Sequence, residues 1–369
     1  MGAYRYSAAC TEPTLYSSTY AAMTRSLYGD LDAAERAAWA DYLNGFQDDD
    51  GLYGDPVIAG VGWYEGDPLS CGRSHLTCHV VTALACLGAR APKPMVFLEP
   101  WRDADRMIRW LAERDWGKRV AWTGNEIMNV GTLLQYARDV HNDEAAGHAV
   151  AAMLGWLATN HISAETGVWG NLDVGDPIAR SHAVQAAYHW WPLFFYDQRP
   201  IPHVERAIDT VLATQNAAGG FGWGVHNPAE PFKSSACEDI DSIDPLCRML
   251  QRTDCRRGEV AQALHRAAAW VLQNQVADGG LVFVLDRDFE YGHPQLRGVR
   301  NEGAMFPTWF RTLSLALIGK ALPNQPLGQV GWHFVRCPGM QFWSPTVMAK
   351  PKQDQTGSSD LSRERDAPC

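Results

Sequence analysis

The feature that most restricts this chain is a turn that recurs along it. Four segments share the end of a helix, a short polar spacer and a Gly-rich aromatic turn. They are Tyr-Leu-Asn-Gly-Phe-Gln-Asp-Asp-Asp-Gly-Leu-Tyr-Gly-Asp (42–55), the run 156–171 ending in Gly-Val-Trp-Gly-Asn, Val-Leu-Ala-Thr-Gln-Asn-Ala-Ala-Gly-Gly-Phe-Gly-Trp-Gly (211–224), and Val-Leu-Gln-Asn-Gln-Val-Ala-Asp-Gly-Gly-Leu-Val-Phe (271–283). Gly51, Gly167, Gly220 and Gly280 mark the turns, and a weaker copy at 110–122 places Gly117 between the first two. The spacings are then 66, 50, 53 and 60 residues. A period of that length fits a helix pair with its connections, and such a repeat must stack on its neighbours to bury its apolar face.

The helices before the turns are amphipathic, as Val204, Ile208, Val211 and Leu212 illustrate with three- and four-residue steps. Asp32 is a plausible N-cap with Glu35 as capping-box partner, and Pro202 suits the first turn of its helix. Between the turns lie six more apolar segments, at roughly 14–28, 74–88, 125–138, 179–197, 237–251 and 303–321. A helix apolar around most of its circumference is buried on several sides. The expected fold is therefore all-α, a single (α/α)6 toroid with inner and outer rings of helices. Although 369 residues would ordinarily suggest two domains, the array predicts one over 1–345, and a polar, disordered tail over 346–369.

Acidic residues outnumber basic ones, 42 to 32, which argues against a nucleic-acid partner. No run of 18 apolar residues predicts a membrane span, though peripheral contact stays open, and Met1–Thr11 does not read as a secretory signal. Nine scattered Cys without a Cys-x-x-Cys read as reduced thiols of a cytoplasmic protein. The 15 Trp suggest an aromatic-lined cavity, thick loop packing, or both.

Polar residues gather at the expected starts of the inner helices: Arg73-Ser74-His75, Asn125-Glu126, Arg180-Ser181-His182, the run from Glu238 to Asp244, and Glu302. Gly-Asp-Pro precedes two of them, at 66–68 and 175–177. Helix starts on one ring face one end of a cavity, so these side chains are expected to converge on a rim; the alternative is ordinary capping and salt bridging. Glu238, Asp241 and Asp244 are three apart and share a helix face, with Asp239 pointing elsewhere. Three readings follow. Crowding and burial can hold one carboxyl protonated as a general acid. Alternatively, Asp244 caps a helix starting at Pro245, the rest being solvated. Thirdly, Glu238, Asp241 and Asp244 form a divalent-metal site. Tyr188, Trp190, Trp191, Phe194, Phe195, Phe306, Trp309 and Phe310 can face a cation in a cavity or simply pack helices.

The run Gln215-Asn216-Ala217-Ala218-Gly219-Gly220-Phe221-Gly222-Trp223, with Gln273-Asn274-Gln275 and Asp278-Gly279-Gly280, resembles the repeat of the squalene–hopene cyclase and protein prenyltransferase superfamily, over about 14–322. The resemblance implies a helical toroid. Class II terpene cyclases of that superfamily carry Asp-x-Asp-Asp, whose middle Asp protonates an alkene. Asp239-Ile240-Asp241-Ser242 is similar, with Ser242 where the last Asp would stand. It implies acid-initiated cyclisation of an isoprenoid without a cofactor. Asp241 would be the donor, Asp239 and His182 would tune or re-protonate it, and Glu302 would belong to the catalytic set. Arg73, His75, Asn125, Glu126, Arg180, Tyr188, Trp191, Glu238 and Trp309 would bind the substrate. No counterpart of the prenyltransferase zinc ligands is found. The polar rim also suits a carbohydrate-active toroid acting on a sugar or uronate, by analogy of fold, and a non-catalytic binding scaffold is the third reading.

Overall fold

The computed structural model describes residues 2–60, 64, 69 and 72–343. The tail expected at 346–369 and the first Gly-Asp-Pro (66–68) lie outside the described residues. The chain is mostly helical. In order come α1 (Leu15–Tyr28), α2 (Ala33–Asn44), α3 (Arg73–Cys86), α4 (Ala104–Ala112), α5 (Val120–His141), α6 (Glu144–Leu157), α7 (Pro177–Tyr196), α8 (Val204–Leu212), α9 (Ala236–Met249), α10 (Arg257–Gln273) and α11 (Met305–Ala321). Two antiparallel two-residue ladders are the strand pairs among the described residues. One joins β1 (Tyr4–Arg5) to β2 (Pro13–Thr14), the other β3 (Phe289–Glu290) to β4 (Arg297–Gly298).

Burial separates the odd-numbered helices from the even-numbered ones. Nearly every residue of α3 from Ser74 to Cys86 is buried, whereas α4 buries only Met107 and Leu111. The odd helices pack in sequence, α1 on α3, α3 on α5, α5 on α7, α7 on α9 and α9 on α11, and α11 returns to α1. The even helices lie against these: α2 on α1 and α3, α6 on α5, α8 on α7 and α9, and α10 on α9 and α11. Fully buried Trp39, Trp169, Trp190, Trp191 and Trp309 knit this core. Burying an aromatic side chain of this kind is worth about 1.5–3 kcal/mol.

The recurring turns are built alike. Isolated bridges close them at Gln47–Tyr53, Ile162–Trp169, Gln215–Phe221 and Gln275–Leu281. In three copies the Gln side-chain amide spans its own turn, Gln47 to the Gly51 carbonyl (3.0 Å), Gln215 to Gly219 (2.9 Å) and Gln275 to Gly279 (3.1 Å). The left-handed residue of the last two copies is therefore Gly219 and Gly279, at φ 99° and 88°, one position before the expected glycines. Gly220 serves close packing instead, since a Cβ there would meet the Ser234 hydroxyl at 2.0 Å. The weak copy around Gly117 has no such bridge among the described residues.

In three of the four copies a side chain in the first turns of the next odd helix receives the aromatic or aliphatic turn residue. The Tyr53 N–H donates to Thr77 Oγ1 (2.9 Å), the Phe221 N–H to Asp239 Oδ1 (2.9 Å) and the Leu281 N–H to Thr308 Oγ1 (3.0 Å). Asp239 thus occupies the position that other copies give to Thr.

Several helix starts differ from expectation. Asp32 and Glu35 do form a capping box. Helix α5 begins at Val120, so Asn125 and Glu126 sit in its second turn; Glu302 precedes α11 rather than starting it. Pro202 lies before α8, whose cap is His203 in the left-handed region. Asp244 does not start a helix at Pro245. Ser235 caps α9 in a capping box with Glu238, and the helix continues through Pro245 to Met249.

Candidate functional site

Most of the expected rim is engaged elsewhere. Arg73 forks onto Asp50 (2.9 Å) and also bonds Asp48, fastening the first turn to α3. Arg180 donates to the Val174 and Ala213 carbonyls at 2.8 and 3.2 Å. Glu126 pairs with Arg114 at 3.0 Å, and Glu302 accepts the Val299 N–H at 3.3 Å. Arg73, Arg180 and Glu126, expected to bind substrate, and Glu302, expected in the catalytic set, each bond a neighbouring loop or helix. Asn125 and Trp191 are buried, Trp191 against Trp169.

Asp239, expected to tune Asp241, is held in a buried network. Both its oxygens are taken, by the Phe221 N–H, the Ser234 hydroxyl (2.9 Å), Trp270 Nε1 (2.9 Å) and Arg311 Nη1 (2.6 Å). Arg311, fully buried, also donates to the Val282, Ser234 and Phe283 carbonyls. Burial raises Asp239 and lowers Arg311, and their mutual attraction opposes both shifts.

The other acidic side chains of α9 divide by environment. Asp244 is ion-paired to Arg248 within the helix. Burial pushes Glu238 up, but His226 and the Ser235 cap overcome it and hold Glu238 below the usual glutamate range. Ser235 Oγ lies 2.8 Å from Glu238 and 2.9 Å from His226 Nδ1, and His226 Nδ1 is 3.7 Å from the Glu238 carboxylate. Asp241 goes the other way. Burial, then repulsion from Glu238 and Asp244, lift it well above the usual aspartate range against a hydrogen bond from Gln185. Two carboxyls one helical turn apart are thus driven in opposite directions, the pattern that separates base from acid. Around Asp241 stand Ser181, Gln185, Thr214, Gly222 and Ser242, closed on one another with almost no free volume. A metal at Glu238, Asp241 and Asp244 is not supported: among the described residues no group of three His, Cys, Asp or Glu is placed to hold one.

His182 is half-buried, and burial followed by repulsion from His226 keeps it neutral. His226, Glu238 and Asp176 are the titratable groups that act on it electrostatically.

A second cluster lies further round the ring. Tyr16 Oη meets His75 Nδ1 at 2.8 Å, and His75 Nε2 lies 3.3 Å from His79 Nε2. Tyr16 also contacts Tyr20 and Tyr291, and Trp309 stands edge-on to His79 at 5.4 Å. Burial pushes His79 down to about 3 and His189 down to about 4, and it lowers His75 too, with help from both. All three are neutral imidazoles at pH 7. Tyr188 Oη, on α7 near Asp241, Asp244 and Cys237, is buried and has no hydrogen-bond partner among the described residues. The space between His79, Thr82, Met128, Trp309 and Met340 measures about 10 Å³, room for roughly one water.

Sequence reasoning named Asp241, Glu238, His75 and Trp309, while His79, His189, His226, Tyr16 and Gln185 join these two clusters only in the structure. His79 had a legible signal, four residues after His75 on one helix face. His226 had none, because a loop brings it to Glu238.

These shifts predict how stability follows pH. His75, His79 and His189 take up protons in the unfolded chain near the ordinary histidine value of 6.5 but resist doing so when folded. Their contribution is complete above 6.5 and is lost as pH falls toward 4 and 3. Asp241 has the opposite sign. Its folded form holds a proton that the unfolded chain releases near 3.8, so stability is lost as pH rises above that value. Asp241→Asn is therefore expected to gain stability over the native chain at pH 7 to 8 and to lose that gain at pH 4, read from urea midpoints.

In comparisons with known proteins, no family model and no curated protein matches this chain. Among the described residues no helix is long and apolar enough to cross a membrane.

Proposed function

We propose that this chain is a six-membered α/α toroid with acid-initiated chemistry at Asp241, acting on an isoprenoid double bond or epoxide. Support for the toroid is the cyclic packing of the odd helices, α11 returning to α1, with even helices outside. The observation that carries the chemistry is the burial of Asp241 among Ser181, Gln185, Thr214 and Ser242, one turn from Glu238, which pushes its carboxyl toward the protonated form. A proton donor of that kind needs no metal. Tyr188, Trp309, Tyr20 and Phe306 offer π faces to a developing cation. The cation would be discharged to a neutral imidazole such as His79 or His189. Engagement of Arg73, Arg180 and Glu126 in internal pairs removes the main support for a sugar or uronate ligand.

One observation favours the non-catalytic scaffold instead: the interior is filled, so a substrate must displace side chains to enter. Purified protein incubated with isoprenoid diphosphates, squalene-like chains and oligosaccharides, and read by mass spectrometry, separates these readings. Conversion of an isoprenoid to a cyclised isomer or hydrate is expected. Conversion of an oligosaccharide alone, or of nothing, would overturn the cyclase reading.

A further inference from the structure

The segment after α11 crosses the ring at the C-terminal ends of the odd helices. It meets α1 through the His333 N–H and the Leu27 carbonyl (2.9 Å), and α3 through Thr82 Oγ1 and the Pro338 carbonyl (3.2 Å). Arg248 of α9 donates to the Met340 carbonyl (3.0 Å) and stacks over Phe342 at 4.0 Å. Gln341 is held from three sides: its carbonyl oxygen accepts from Trp309 Nε1 (2.6 Å), and its amide donates to the Met23 carbonyl (2.8 Å) and Cys86 Sγ (3.3 Å). The fit is close. Gly339 has φ 107°, and a Cβ there would lie 2.6 Å from Thr82 Oγ1. This strap, with Met340 against the axial space, closes one end of the interior.

Two thiols meet where the strap crosses α3. Cys337 Sγ donates to the Gln341 carbonyl at 3.3 Å, while Cys86 Sγ accepts from the amide of the same Gln341. Both sulfurs thus bond the same residue, Gln341, and both residues are buried free cysteines.

We propose that Cys86 and Cys337 are a redox latch, and that a disulfide between them fastens the strap across the ring. The oxidant is a small disulfide. The Cys337 thiol gives up its proton, the thiolate attacks one sulfur of that disulfide, and a thiolate leaves. The Cys86 thiol, deprotonated in turn, attacks the Cys337 sulfur of the mixed disulfide and expels the second thiolate. The protein loses two protons and two electrons, and the oxidant is reduced to two thiols. Burial and the partner sulfur hold the Cys337 thiol well above the usual thiol range, so the seated strap is unreactive and oxidation waits on its loosening. The closed loop spans about 250 residues, long enough for the bond to stabilise the fold strongly. The latch stands whatever the chain catalyses.

The test uses the full chain, reduced, then incubated folded with oxidised glutathione. Free thiols are blocked with iodoacetamide and the disulfides mapped by proteolysis and mass spectrometry. The expected result is one Cys86–Cys337 cross-link, a thermal midpoint several degrees higher, and loss of both on adding dithiothreitol. Cys86→Ser and Cys337→Ser should each abolish the shift, and because the mapping is done on the native chain it does not depend on either variant folding. Cross-links among other cysteines, or oxidation that leaves Cys86 and Cys337 blocked as free thiols, would overturn the proposal.

Discussion

Replacing Asp239 with Ala should cost about 3–5 kcal/mol of stability, the range for breaking a buried ion pair by removing one partner. The reason is that Arg311 is fully buried and Asp239 is its one counter-charge at ion-pair distance among the described residues. The same change strands the Phe221 N–H, the Ser234 hydroxyl and Trp270 Nε1, each a buried donor. Urea denaturation followed by tryptophan fluorescence measures the loss. Arg311→Met should cost a similar amount, and Asp239→Leu combined with Arg311→Met should cost less than the sum, because neither charge is then left alone. At the equivalent repeat positions, Thr77→Val and Thr308→Val should cost only about 1–3 kcal/mol, one unpaired amide each. An Asp239→Ala variant as stable as those two would mean that the ion pair does not hold the turn to the ring.

Asp241→Asn should have the largest effect on chemistry while keeping the fold and, as above, raising its stability at neutral pH. The amide has the size of the protonated acid and keeps a hydrogen bond with Gln185. It cannot give a proton to an alkene or epoxide, so turnover on an isoprenoid should fall by about 10²–10⁴, the usual contribution of a general acid. Asp239→Asn offers the contrast: it should lose stability first, and turnover only in proportion to the folded fraction. Full turnover by a folded Asp241→Asn variant would remove Asp241 from the mechanism.

The repeat was legible because its constraints are local. A Gln that spans its own turn and a glycine in the left-handed region leave a sequence signature, and the apolar helices between turns were placed to within a few residues, α5 excepted. The helix starts were less legible. A run such as Gly124-Asn125-Glu126 looks like a cap, yet α5 starts at Val120, since an N-terminal turn can form without a side-chain cap. The bonding partners of the rim residues were hidden for a different reason. Arg73, Arg180 and Glu126 were read as aimed into the ring, but their partners come from other loops and helices, Asp50, Val174, Ala213 and Arg114, which no spacing rule connects to them. Asp239 and Asp241 are two residues apart and looked alike as acids. The first occupies the repeat position of Thr77 and Thr308, a role that the sequence pattern alone did not separate from that of the second.

The protonation state of Asp241 at neutral pH bears most directly on this account. An infrared difference spectrum of the native chain minus Asp241→Asn at pH 7, in H₂O and D₂O, should show a protonated carboxyl stretch that shifts with the isotope and is missing from the variant. An ionised carboxylate doublet in its place would contradict the account, leaving α9 with a second structural acid and no proton donor.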